Sequence, residues 1–129
     1  HLASVSQFAG YTLHQAAKGD ATRLLEGFDP QATPGAAAEL LGELEPARLL
    51  DTLREFDGHI EATVAGWSSD DWCRPAEAPP GHVPAFLSLS HFLFDSWVHE
   101  RDVLLPMREV PVVEPGEVEI SVAYVLGLA

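Results

Sequence analysis

The 129-residue chain holds one cysteine, only seven basic residues against 20 acidic ones, and no long apolar run. One cysteine, Cys73, excludes an intrachain disulfide and a thiolate zinc cluster, and it suits the cytoplasm. The shortage of Lys and Arg leaves a net charge of −13. Such a surface repels phosphate backbones and anionic lipid heads, so neither a nucleic-acid nor a membrane partner is expected. No apolar run approaches the roughly 20 residues that span a bilayer, and no signal peptide is read. Internal repeats, low-complexity stretches, a glycine-rich phosphate loop, a Ser-His-Asp order and a paired-Glu glycosidase pattern are also lacking.

What remains is a globular composition, 47% hydrophobic and 21% charged. The length is that of one domain and can bury a core without disulfides. A single helical-bundle domain over residues 1–129 is expected. The opening HLASVSQF is already in helical register, and the closing VAYVLGLA carries no polar cap. Both predict a longer parent chain that continues at each end.

Residues 1–17 read as a helix, with Leu2, Val5, Ala9, Leu13 and Ala16 at three-and-four spacing and Phe8 beside them. Lys18-Gly19-Asp20 provides a stop. Phe28-Asp29-Pro30 reads as a turn. A short helix is expected over Ala36–Glu43. Pro46 suits the first turn of another, from about Ala47 to Ala65, with Leu49, Leu50, Leu53, Phe56, Ile60 and Val64 on one face. Ser68-Ser69-Asp70-Asp71 can cap a short turn before Trp72. Residues 74–84 hold four prolines and one glycine and read as a loop. The longest and most buried-looking helix is expected from about Pro84 to Leu105, where Pro106 breaks it. Glu117 to Ala129 fits a last helix with Val118, Val122, Val125 and Leu126 as its apolar positions. With no alternating strand pattern, the fold class is all-α, a helix bundle with short extra helices and proline-rich loops.

The chemistry concentrates in AFLSLSHFLFDSWVHERDVLL, residues 85–105. At about 100° per residue, His91, Asp95 and His99 fall within about 80° of one another, and Asp102 returns to that arc. Two readings compete. A polar stripe on an amphipathic helix usually faces water. Solvated faces, however, usually carry Lys, Glu and Arg, whereas this one carries His and Asp on a largely apolar helix. A narrow polar stripe on a buried helix needs partners, because burying lone charges is costly. A divalent cation is such a partner. Asp and His one turn apart project onto one face, and zinc accepts both imidazole nitrogen and carboxylate oxygen. A third ligand must then come from another helix.

Two blocks carry a resemblance to a known family. One is His1-Leu2-Ala3 opening a helix. The other is Asp95-Ser96-Trp97-Val98-His99-Glu100-Arg101-Asp102-Val103, followed by Leu105-Pro106. Together they resemble the DinB-like four-helix-bundle superfamily and, within it, the mycothiol-dependent maleylpyruvate isomerase family. Members show an H-L-A block near the N-terminus, an acidic residue four before a histidine, and an aspartate three after it. The resemblance implies that the long helices of the bundle number four, and it implies a divalent-metal site of His1, Asp95 and His99, with zinc as the metal. Many members have Glu in place of Asp95; the shorter Asp implies closer helices or an altered site. The open coordination position of the family takes water or a low-molecular-weight thiol of the mycothiol type, which zinc would hold as thiolate. In the isomerase, that thiolate adds to an activated cis double bond, allows rotation, and leaves.

The resemblance thus points to a metal- and thiol-dependent isomerase or S-transferase acting on a small molecule, and a homodimer is compatible with it. Two alternatives stay open: a non-catalytic metal-binding or protein-interaction domain, and a bundle without metal whose stripe faces solvent. Around the three ligands, His91 is a candidate hydrogen-bond donor to Asp95, in preference to a fourth-ligand role, and Asp102 a candidate to orient His99, with Asp102 alternatively pairing with Arg101 or Arg108. Arg101 is the candidate cofactor or anionic-substrate contact. His14, His59 and His82 lack companions at ligand spacing and read as surface or capping residues. Trp67, Trp72 and Trp97 read as packing residues, and Cys73 as non-catalytic. No catalytic residue is named.

Overall fold

A computed structural model describes residues 1–27, 29 and 33–127. The expected turn at Phe28-Asp29-Pro30 and the last two residues of the expected C-terminal helix fall wholly or partly outside the described residues. The chain divides into two compact units, His1–Ser88 and Leu89–Ala129.

In the first unit, α1 (Leu2–Ala17) and α3 (Pro46–Val64) pack against each other. At Gly10 an added β-carbon would make ordinary van der Waals contact with Ile60 Cγ1 at 3.5 Å, so the α1–α3 packing does not require a glycine there. The buried face of α1 is Ala3, Ser6, Ala9, Thr12, Leu13 and Ala16. That is the expected stripe turned slightly, so that small hydroxyl residues join it. The Thr12 hydroxyl is satisfied by the carbonyl of Phe8, 3.0 Å away. The helix stops where expected: Gly19 adopts φ +80°, and the N–H groups of Lys18, Gly19 and Asp20 bond back to the last turn.

Pro46 opens α3 in its first turn, as its missing N–H allows. Thr52 and Ile60 are buried on this helix, whereas Leu50 is 53% exposed. A short α2 (Thr33–Gly42) precedes it. The one-turn α4 (Ser69–Trp72) is closed by a capping box between Ser68 and Asp71. The Ser68 hydroxyl and N–H hold the Asp71 carboxyl below its usual pKa. Trp67 and Trp72 meet edge to face, centroids 4.9 Å apart.

Residues 75–84 depart from the all-α expectation. They form an antiparallel hairpin, β1 (Pro75–Ala78) and β2 (Gly81–Pro84), with Ala76 opposite Val83 and Glu77 opposite His82. The prolines sit at the strand ends and in the Pro79-Pro80 turn, where no ladder N–H is required. Gly81 takes φ +117° to complete the turn. The molecule is therefore mostly helical with a two-stranded sheet.

The second unit holds most of α5 (Ala85–Leu104) and α6 (Pro115–Gly127). Pro106 follows the end of α5, and Arg108 turns the chain at φ 62°. Tyr124 of α6 packs on His91 and Phe94 of α5, centroids 5.3 and 5.6 Å away. Two expectations need correction. The buried residues of α5 are Ala85 and Ser88 only, and the rest of the helix is half-exposed or exposed rather than deeply buried. The inward residues of α6 are Ser121 and Tyr124, whereas Val122, Val125 and Leu126 are exposed at 51%, 47% and 70%.

Candidate metal centre on helix α5

The polar stripe of α5 exists as one continuous feature. Asp95, His99 and Asp102 follow at four- and three-residue steps, so helical geometry alone sets them in line. His99 Nε2 lies 3.6 Å from Asp95 Oδ1, and His99 Nδ1 lies 3.2 Å from Asp102 Oδ2. The imidazole thus stands between two carboxylates, one at each ring nitrogen. The Asp95 and His99 side chains are about one quarter and one third exposed, and Asp102 is largely in water. Asp102 pairs with His99, not with Arg101 or Arg108.

His91, one turn before Asp95, is directed to a different partner. Its Nδ1 is hydrogen-bonded to the Tyr124 hydroxyl. Burial lowers the His91 pKa, and the Asp95 charge pulls it partly back up. Burial also raises the pKa of the Tyr124 phenol, so both groups are neutral near pH 7.

Arg101 lies over the Trp97 ring, 3.7 Å from its centroid, and donates to the Trp97 carbonyl and to Glu100. Its Nη2, like Trp97 Nε1, is buried with no acceptor among the described residues. His1 is exposed and stands at the N-cap of α1 in the first unit, where its carbonyl accepts from the Val5 N–H. His14, His59 and His82 lie on the surface as expected, and the free Cys73 is exposed.

Sequence reasoning passed over Glu77. Its side chain is buried on the hairpin and accepts from the Leu24 N–H, the Leu25 N–H and the Thr22 hydroxyl at 2.6–2.7 Å. Burial alone would raise its pKa. The Leu25 and Leu24 N–H groups, Thr22 and the nearby His82 outweigh that and hold it below the usual carboxylate value. Its donors lie about fifty residues earlier in the chain, so no local pattern announces it.

Helix α5 thus lines up a carboxylate, an imidazole and a carboxylate, in a chain that is mostly helical. Residues 1–104 match the family model described as mycothiol maleylpyruvate isomerase N-terminal domain. The chain belongs to that family. No curated protein and no solved structure matches it. Among the described residues, no helix is long and apolar enough to cross a membrane.

Proposed function

We propose that the chain is the metal-binding domain of a divalent-metal-dependent enzyme that uses a low-molecular-weight thiol of the mycothiol type, acting as an isomerase or S-transferase. The observation that carries this reading is the Asp95–His99–Asp102 alignment. A metal-ligating histidine typically has its other ring nitrogen held by a carboxylate, which fixes the tautomer and raises ligand basicity. With Asp102 at Nδ1, His99 offers Nε2 on the side of Asp95. His1 is proposed as the third ligand. One exposed imidazole with a half-buried carboxylate and imidazole is a donor set able to hold a metal ion, and zinc accepts each of these atoms.

A cation held there supplies a Lewis acid that lowers the pKa of a bound thiol at neutral pH. The residues of the chain do the rest. Asp95 and His99 set the position, Asp102 orients His99, and His91 is kept neutral one turn away. Arg101 stays the proposed contact for a carboxylate of the thiol or the substrate on the family resemblance; its Nη2 is buried, and the side chain is held on Trp97 and Glu100. The family description supports the thiol and the substrate class. A reducing cytoplasm suits both that thiol and the lone cysteine.

The test is turnover of maleylpyruvate by zinc-loaded protein with and without mycothiol. Thiol-dependent isomerisation that falls at least 100-fold in His99→Ala supports the reading. Protein that binds zinc through Asp95 and His99 but turns over no substrate with any thiol is a non-catalytic metal-binding domain instead.

A further inference from the structure

The first unit carries a groove between α1 and α3 of about 620 Å³, remote in sequence from Asp95 and His99. That volume is within the range of small-molecule sites. We propose that this groove binds an uncharged, planar aromatic molecule bearing a hydroxyl or carbonyl at its edge.

Three features converge on that class. The first is charge. The chain holds 20 acidic residues, yet none of them, and no Lys or Arg, lines the groove. Helix α1 contributes this neutrality outright, because Leu2–Ala17 contains no Asp, Glu, Lys or Arg. A cationic ligand would find no carboxylate there.

The second is shape. Gly10 of α1 and Ala62 of α3 line the groove with little side-chain bulk of their own. Tyr11 of α1 and Phe56 of α3 line it, one aromatic ring from each helix. Tyr11 is 48% exposed, which leaves ring surface available to a ligand. A flat ring gains most from such neighbours, since aromatic pairs stack or meet edge to face.

The third is the placement of hydrogen-bonding groups. His14 and His59 line the same groove and are exposed. The Thr63 hydroxyl nearby is already spent on the His59 carbonyl at 2.8 Å. The two imidazoles, with the exposed Gln7 amide that also lines the groove, provide the polar contacts that fix a hydroxyl or carbonyl on the ring edge.

The experiment titrates the full chain, freed of metal with a chelator, with 2-naphthol and follows the probe by fluorescence anisotropy. Decahydro-2-naphthol and 2-naphthoate serve as the non-aromatic and charged controls. The proposal predicts one saturable site for 2-naphthol, at least ten-fold tighter than for either control. Ala62→Trp, which fills the groove from an exposed position, weakens binding at least ten-fold with an unchanged circular dichroism spectrum. Tyr11→Ala and His59→Ala each weaken it several-fold. Non-saturable binding, equal binding by Ala62→Trp, or no preference over the controls overturns the proposal. So does self-association of the chain that Ala62→Trp abolishes, because the groove is then the seat of a second copy. Metal-free protein is used throughout, so failure here leaves the metal reading standing, and failure of the metal reading leaves this result standing.

Discussion

Asp102 Oδ2 stands 3.2 Å from His99 Nδ1, on the side of the ring away from Asp95. The contact spans three residues of one helix, so the helix itself maintains it. Under the proposed assignment, Asp102 holds the tautomer in which Nε2 is the free ligand atom. Asp102→Asn should then lower zinc affinity about 10- to 100-fold, the usual cost of losing such a carboxylate. Competition against a fluorescent zinc chelator reads this directly. Unchanged affinity would mean that Asp102 is only a surface partner of His99.

Glu77 ties the 22–25 segment to the hairpin through three hydrogen bonds. Glu77→Gln places an amide donor against N–H donors and should cost about 1.5–3 kcal/mol, the range for hydrogen bonds to a charged group. Chemical denaturation at pH 7 checks the value. The pH dependence follows from the lowered folded-state pKa. The unfolded chain takes up its proton near the ordinary value of about 4.3, above the folded value. The contribution of Glu77 is therefore complete above that pH and is lost as pH falls through the folded pKa. Between pH 6 and pH 3, wild-type protein should lose more stability than Glu77→Gln. Parallel losses in the two proteins would refute the assignment.

Tyr124 and Ser121 are the two buried residues of α6, and they should respond oppositely to truncation. Tyr124→Phe removes the hydroxyl bonded to His91 and should destabilise by about 1 kcal/mol. The Ser121 hydroxyl is buried with no partner among the described residues. Ser121→Ala removes an uncompensated polar group and should be neutral or stabilising. Urea midpoints of the two variants decide it; equal destabilisation would contradict this account of how α6 packs.

Much of the helical framework was legible because its signals are local. Pro46 at the start of α3, Gly19 after α1 and Ser68 before α4 each act within one turn of their own position. The Asp95–His99–Asp102 line was readable for the same reason, since helix periodicity alone makes it. The hairpin was hidden by its composition. Its prolines look like loop residues, and β1 buries Ala76, Glu77 and Ala78 in succession, so no alternation appears. Glu77 was illegible because its donors are distant in sequence. In α6 the apolar residues are spread around most of the helix, so their spacing did not reveal which side Tyr124 would bury. A helix bundle was expected from the long helices and proline-rich connections, and its four-helix form from the family resemblance, but neither specifies how helices pair. The place of His1 in the site was read from family resemblance, since no spacing links it to α5.

The central claim is best tested by zinc stoichiometry and affinity of the purified full chain, measured by elemental analysis and isothermal titration. Wild-type protein should bind one equivalent per chain. Asp95→Ala, His99→Ala and His1→Ala should each weaken it at least 100-fold while keeping wild-type helicity. Zinc binding that survives both Asp95→Ala and His99→Ala, or no binding by the wild type, would contradict the account.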